Sequence, residues 1–162
     1  KRGLLLMKKD KKRFLCIFTA CLLIVTACIP AFAQDSKQHI QYYEDGSYTI
    51  ETLTIDNPTI SFYSSTKRGT RSRIYYSSDN VEQWSVTVTG SFSYGNGSST
   101  CTAASATAKA TASTWTISSK SSSKSGNSAT ATATAIQYLR GHEVQRKTLS
   151  TTLSCSSNGT LY

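Results

Sequence analysis

Between residues 84 and 94, Trp84, Val86, Val88, Phe92 and Tyr94 share one parity, while Ser85, Thr87, Thr89, Ser91 and Ser93 share the other. A period of two sends the two sets to opposite sides of an extended backbone, so this stretch predicts a strand with one apolar and one wet face. Gly90 falls on the apolar parity and marks a bulge or a close backbone approach. The same pattern recurs where Ala129, Ala131, Ala133 and Ala135 alternate with Thr130, Thr132, Thr134 and Ile136, and Leu149, Leu153 and Cys155 share a third such face. Shorter strand candidates are residues 48–50, 60–62, 74–76 and 115–117. Residues 103–110 are rich in alanine, which favours helix, but their Ser/Thr interleaving and their neighbours favour strand.

The segments between these runs carry hairpin chemistry. Gly95-Asn96-Gly97 follows the best strand with the Asn-Gly step that suits a tight turn, and Ser125-Gly126-Asn127 and Arg140-Gly141-His142 repeat the signal. Seven or eight short strands at this spacing predict a small antiparallel β-sandwich with Trp84 and Trp115 in its core. Residues 34–46 lack a pattern and read as a flexible arm, which leaves 47–162 as one all-β domain.

The first 33 residues are of another kind. Lys8, Lys9, Lys11, Lys12 and Arg13 precede a 14-residue apolar run at 14–27, then Pro30 and Ala31-Phe32-Ala33. A positive region, an apolar run shorter than the ~20 residues of a spanning helix and a small-residue site make a signal peptide cleaved after Ala33. Met7 is then a candidate start. Val25-Thr26-Ala27-Cys28 also reads as a lipobox, which would leave a lipid-anchored Cys28. The apolar residues after Cys28 argue against that processing.

Removing the leader changes the electrostatics. Seven of the 18 Lys/Arg and one of the nine Asp/Glu lie in residues 1–33, so the net charge of +9 falls to about +3 beyond Ala33. The basic balance is mostly an export signal, and nucleic-acid binding is not expected. Cys16, Cys21 and Cys28 leave with the leader. An exported chain with only Cys101 and Cys155 remaining predicts one intramolecular disulfide, the alternatives being two buried thiols or an intermolecular bridge.

Three blocks carry a resemblance: WSVTVTGSFSYGNGSSTC, WTISSKSSSKSGNSATATATA and TLSCSSNG. In this order, with the two-cysteine frame, they resemble a group of short secreted two-cysteine β proteins of anaerobic gut Firmicutes. The resemblance covers about residue 48 to the end. It implies export, a Gram-positive source and the fold, and it transfers no functional residue.

Chemical motifs are few. His39 and His142 are the two histidines, and neither belongs to a metal or triad signature; His142 beside Glu143 reads as a solvated turn residue. The cysteines lack metal-ligand spacing, so no cofactor is expected. Lys67, Arg68, Arg71 and Arg73 form the one charge cluster. They are candidates for contact with an anionic polymer such as wall teichoic acid, mucin glycan or a phosphate backbone. Basic residues on an edge strand also prevent edge-to-edge pairing. Arg71, Arg73 and Tyr75 are expected on one strand face, Ile74 and Tyr76 on the other. Nine tyrosines, Tyr75 and Tyr76 among them, invite an aromatic contact for sugars, although tyrosine is equally a strand-packing residue. The threonine alternation at 130–134 reads as a polar outer face. It is not an ice-binding ladder, because no fixed repeat runs through the chain.

The function expected from these readings is a secreted, non-enzymatic interaction module at or outside a Gram-positive envelope. Its expected partner is a wall or host glycan or an anionic polymer. A bacteriocin-like effector and a hydrolase with a hidden site are the alternatives.

Overall fold

The computed structural model describes residues 38–56 and 65–162, and every regular element in it is a strand. The order is β1 (His39–Tyr42), β2 (Tyr48–Ile55), β3 (Thr66–Tyr76), β4 (Glu82–Gly95), β5 (Ser98–Ala110), β6 (Trp115–Ser125), β7 (Ser128–Leu139) and β8 (His142–Ser154). They form two antiparallel meanders, β1-β2-β3-β4-β5 and β6-β7-β8. Of the seven or eight strands expected, eight are present in two antiparallel sheets of five and three, with residues 103–110 in strand. Among the described residues, no helix is long and apolar enough to cross a membrane. The leader and the strand expected at 60–62 lie outside the described residues.

Register explains the layers. β4 packs over β7 and β3 over β8, while β5 runs beside β6. Trp84, Val86, Val88 and Phe92 of β4 are fully buried, and so are Ala129, Ala131, Ala133 and Ala135 of β7 to within 1%. Large side chains on one sheet thus meet methyl groups on the other, which fills the interior without many large residues. The outer faces are hydroxyl ladders. Thr130–Thr152, Thr132–Ser150 and Thr134–Thr148 bond across β7 and β8 at 2.8–3.0 Å. Ser72 and Thr87 do the same across β3 and β4 at 2.8 Å.

The two-residue turns behave as their composition demands. Asn96 and Gly97 both have positive φ (51° and 79°), the pairing that matches the twist of a hairpin. In the β6–β7 turn, Gly126 takes the left-handed position (φ 53°) and Asn127 follows. Arg140 and Gly141 repeat the first arrangement, with a non-glycine residue at φ 51°.

Two expectations need correction. Residues 39–42, inside the segment read as a loose arm, are β1, paired with β2 from His39↔Glu51 to Tyr42↔Tyr48. All four are exposed, held by the ladder and by a ring contact from Tyr42 to Tyr48, and no burial alternation signals the strand. Tyr75 is not an outer contact but 3% exposed and part of the core. Cys101 and Cys155, expected to pair, are both buried and carry free thiols in this structure. Each finds a carbonyl nearby: Cys101 Sγ donates to Ala103 O at 3.3 Å and Cys155 Sγ to Ser156 O at 3.4 Å.

Because the described connections are hairpins or short crossings, their turns sort onto two ends. One end carries 43–47, 77–81, 111–114 and 140–141 and holds the aromatic residues. The other carries the turns at 96–97 and 126–127, the two cysteines and the C-terminal tail.

Candidate functional site

Four rings fill the aromatic end. Trp84 lies 6.2 Å from Trp115, Trp115 lies 5.7 Å edge-on from Tyr75, and Tyr75 lies 6.3 Å edge-on from Tyr43. Lys147, on the inward register of β8, places Nζ 3.4 Å from the centre of the Tyr43 ring and 4.1 Å from that of Tyr75. A cation over ring faces in a partly desolvated setting is held by their negative quadrupoles.

Beside these rings opens a cleft of about 180 Å³, lined by Tyr75, Trp115, Gln83, Gln137, Gln145, Asp45 and Ser47, with Ser77 and Ser78 at its side. Its parts come from six places in the chain. Gln137 and Gln145 are cross-strand partners on β7 and β8. Gln83 of β4 accepts from Trp115 Nε1 at 3.0 Å and donates to the Val81 carbonyl at 2.9 Å, which fixes its carboxamide. Asp45 belongs to the β1–β2 turn, where it accepts from the Ser47 N–H at 3.0 Å and from the Ser47 hydroxyl. The hydroxyl and amide of Ser47, with help from Lys147, hold the Asp45 carboxyl below the usual carboxylate value, so it is an anion at neutral pH. The cleft therefore offers amides and hydroxyls that donate and accept, one fixed carboxylate, and apolar ring surface.

Two other hollows are larger but poorer in chemistry. One of about 290 Å³ sits at the Asn96-Gly97 hairpin, among serine hydroxyls and Tyr94. One of about 350 Å³ lies between β5 and β6, where Ala103, Ala104 and Ser122 line it and Lys124 already donates to the Thr102 carbonyl at 2.8 Å. The first has one ring and one carboxamide, Tyr94 and Asn96, side by side at a single hairpin, and the second has neither, whereas the cleft brings three carboxamides from different strands against two rings.

The basic residues are dispersed. Arg71 and Arg73 do share a face with Tyr75, as the alternation implies, but that face is the inward one, since their partners on β4 are Val88 and Val86. Arg71 Nη1 donates across the open side of the sandwich to the Thr152 carbonyl of β8 at 3.1 Å. Arg73 pairs with Glu51 at 2.8 Å, both side chains being mostly buried. Lys67 is on the same inward register opposite Phe92, whereas Arg68 is on the outer face and meets Asp56 at 3.5 Å. These four cations do not make one patch. Lys124 and Arg71 instead act alike: each caps a strand-edge carbonyl where the two sheets separate.

Tyr76 lies outward, stacked at 5.0 Å and 7° on Tyr48, which lies 5.5 Å from Tyr42. Burial, then the charge of Glu82 and then Tyr48 push the Tyr76 phenol up from its ordinary value. One face of its ring is covered by Tyr48, in a cross-strand row whose outermost member, Tyr42, is 71% exposed. His39 and His142 are exposed on separate strands, and Glu143 is bound by Arg146 through two contacts of 2.9 and 3.0 Å. Among the described residues, no group of three His, Cys, Asp or Glu could hold a metal ion.

The sequence reading missed Gln83, Gln137, Gln145 and Asp45. A signal existed for two of them: Gln137 continues the inward parity of Ala129 to Ala135, and Gln145 that of Leu149 and Leu153, where an apolar residue is expected. Polar residues on a core parity, at the end of a sheet, mark a mouth. With this geometry in hand, comparison with protein-family models, curated proteins and solved structures finds no match for the chain.

Proposed function

We propose that the chain is an exported, non-enzymatic binding module that works outside a Gram-positive cell and engages its ligand at the aromatic end. The observation that carries the reading is the cleft, where glutamine amides from three strands and two buried rings meet in one concavity. Convergent polar groups over an apolar floor are the ordinary make-up of a recognition site. A non-enzymatic role is supported by the placement of the histidines, both exposed and far apart in sequence, with the neighbouring Glu143 committed to Arg146. Export is supported by the leader pattern at residues 8–33.

In an oxidising compartment the same reading has Cys101 and Cys155 join. Their N–H groups are already anchored on successive carbonyls of one turn, Cys101 to Gly126 at 2.8 Å and Cys155 to Asn127 at 3.0 Å.

The test is retention of the secreted protein by washed Gram-positive walls and by mucin, over a salt series. Retention that survives high salt supports the cleft as the contact. Retention that fades with salt and with Arg71→Ala and Arg73→Ala would move the contact to the basic residues. Release of a new product from either material would replace the binding reading with an enzymatic one.

A further inference from the structure

Resting on that binding reading, we infer that the cleft takes a single uncharged sugar ring, a hexose or N-acetylhexosamine at the end of a glycan chain. Its holders are the amides of Gln83, Gln137 and Gln145 and the rings of Tyr75 and Trp115. Each hydroxyl of a sugar both donates and accepts, so the matching side chains must do both; carboxamides do, while ammonium and carboxylate groups do only one.

The three glutamines are placed for this. Gln137 and Gln145 stand opposite one another, and among the described residues their side chains have no hydrogen-bond partner within the protein. Gln83 is oriented by Trp115 and the Val81 carbonyl, and it keeps one lone pair and one N–H free. A half-buried amide without a partner gains when a ligand supplies one. Tyr75 and Trp115 line the cleft while only 3% and 4% exposed, so they supply a small, rigid apolar floor for the carbon side of a bound ring.

Size and charge narrow the class. At about 180 Å³ the cleft is smaller than the ~300–1,000 Å³ of sites for drug-sized ligands, which suits one ring and excludes a longer oligosaccharide buried whole. Asp45 puts a negative charge at the wall, and Lys147 spends its ammonium on the faces of Tyr43 and Tyr75. Anionic sugars and phosphate are therefore disfavoured, and the ligand is neutral.

The experiment titrates the secreted protein with methyl glucoside, methyl galactoside, N-acetylglucosamine, glucuronate and glucosamine, read by calorimetry and by the combined emission of Trp84 and Trp115. Saturable binding of at least one neutral sugar is expected, with none of glucuronate. Gln137→Leu and Gln145→Leu together should weaken it about tenfold or more, as expected for losing two hydrogen bonds. Gln145→Asn, which keeps the amide but withdraws it, should weaken binding while leaving the melting curve unchanged. Binding of glucosamine alone overturns the inference in favour of an ammonium site at Asp45. A neutral sugar bound equally well by the leucine variant overturns the assigned holders. Wall or mucin retention that no free sugar competes with overturns this inference and leaves the binding reading standing; loss of retention altogether removes both.

Discussion

At the cysteine end, space is used up to the limit of contact. A Cβ on Gly69 would lie 2.6 Å from Leu161 Cδ1, and one on Gly90 would lie 2.7 Å from the Phe92 ring and 3.1 Å from Ala129 Cβ. These glycines are cross-strand partners on β3 and β4, so the sheet itself is thinned to admit Leu161 and Phe92. The tail is then tied down by a bridge from Cys155 to Leu161 and by paired backbone bonds between Ser154 and Tyr162 at 2.9 and 3.0 Å. Asn127 Nδ2 adds a bond to the Cys155 carbonyl at 2.7 Å. At the aromatic end the sheets are held apart by indoles and phenols, and the gap between them is walled by amides and a carboxylate. One end closes the core; the other leaves an opening with unspent donors and acceptors. Buried small residues allow the first, and rigid rings enforce the second.

The largest effect that would sharpen this contrast is oxidation of the cysteine end. A Cys101–Cys155 bridge would close a long loop and stabilise the fold by about 4 kcal/mol in the chain-entropy model. Intact mass should fall by two hydrogens, and a reductant should lower the denaturation midpoint; an unchanged midpoint means that the thiols stay free. Next comes the plug. Leu161→Ala should cost about 2–5 kcal/mol and Gly69→Ala about 1–3 kcal/mol in urea unfolding. Their costs should not add, because the shortened side chain at 161 relieves the clash at 69. Additive costs would mean that Leu161 does not sit on Gly69 in solution.

Smaller effects are expected at the open sides. Arg71→Met and Lys124→Met should each change stability by less than about 1 kcal/mol, since exposed charge contacts contribute little. They should nonetheless raise self-association seen by light scattering, because each uncovers a strand-edge carbonyl. The smallest change concerns the turn at 43–47. The carboxyl of Asp45 is lowered from 3.8 by its bonds to Ser47, so its contribution is complete above 3.8 and is lost as pH falls through the lowered value. The Ser47 amide signal should move in that acid range. The cysteine end should not respond there, since burial pushes both thiols up from 9.0.

Much of the architecture could be read from residue order. Parity at 84–94 and 129–135 identifies β4 and β7, and the Asn96-Gly97 and Arg140-Gly141 steps locate their turns, because strand period and turn φ are properties of a few adjacent residues. Gly90 declares a close approach, and it is one, but its partner Gly69 is hidden in a basic run. β1 is invisible because all four of its side chains are exposed, which leaves no alternation to read. The site was legible only in part. Gln137 and Gln145 break an apolar parity, whereas Gln83 and Asp45 join them from strands and turns that nothing local connects.

The same division runs through the charged and aromatic residues. Alternation alone put Arg71, Arg73 and Tyr75 on one face and Tyr76 on the other. Which of those faces met the second sheet was decided by the stacking of β3 over β8, and that turned an apparent binding face into a capped edge and a core ring. Sequence by itself determined strands, turns and the division of faces, because these follow from bond geometry along the chain. Tertiary structure decided which face is inside, which glycines thin a sheet and which amides meet in a cleft, because these depend on the offset between two sheets that no local pattern records.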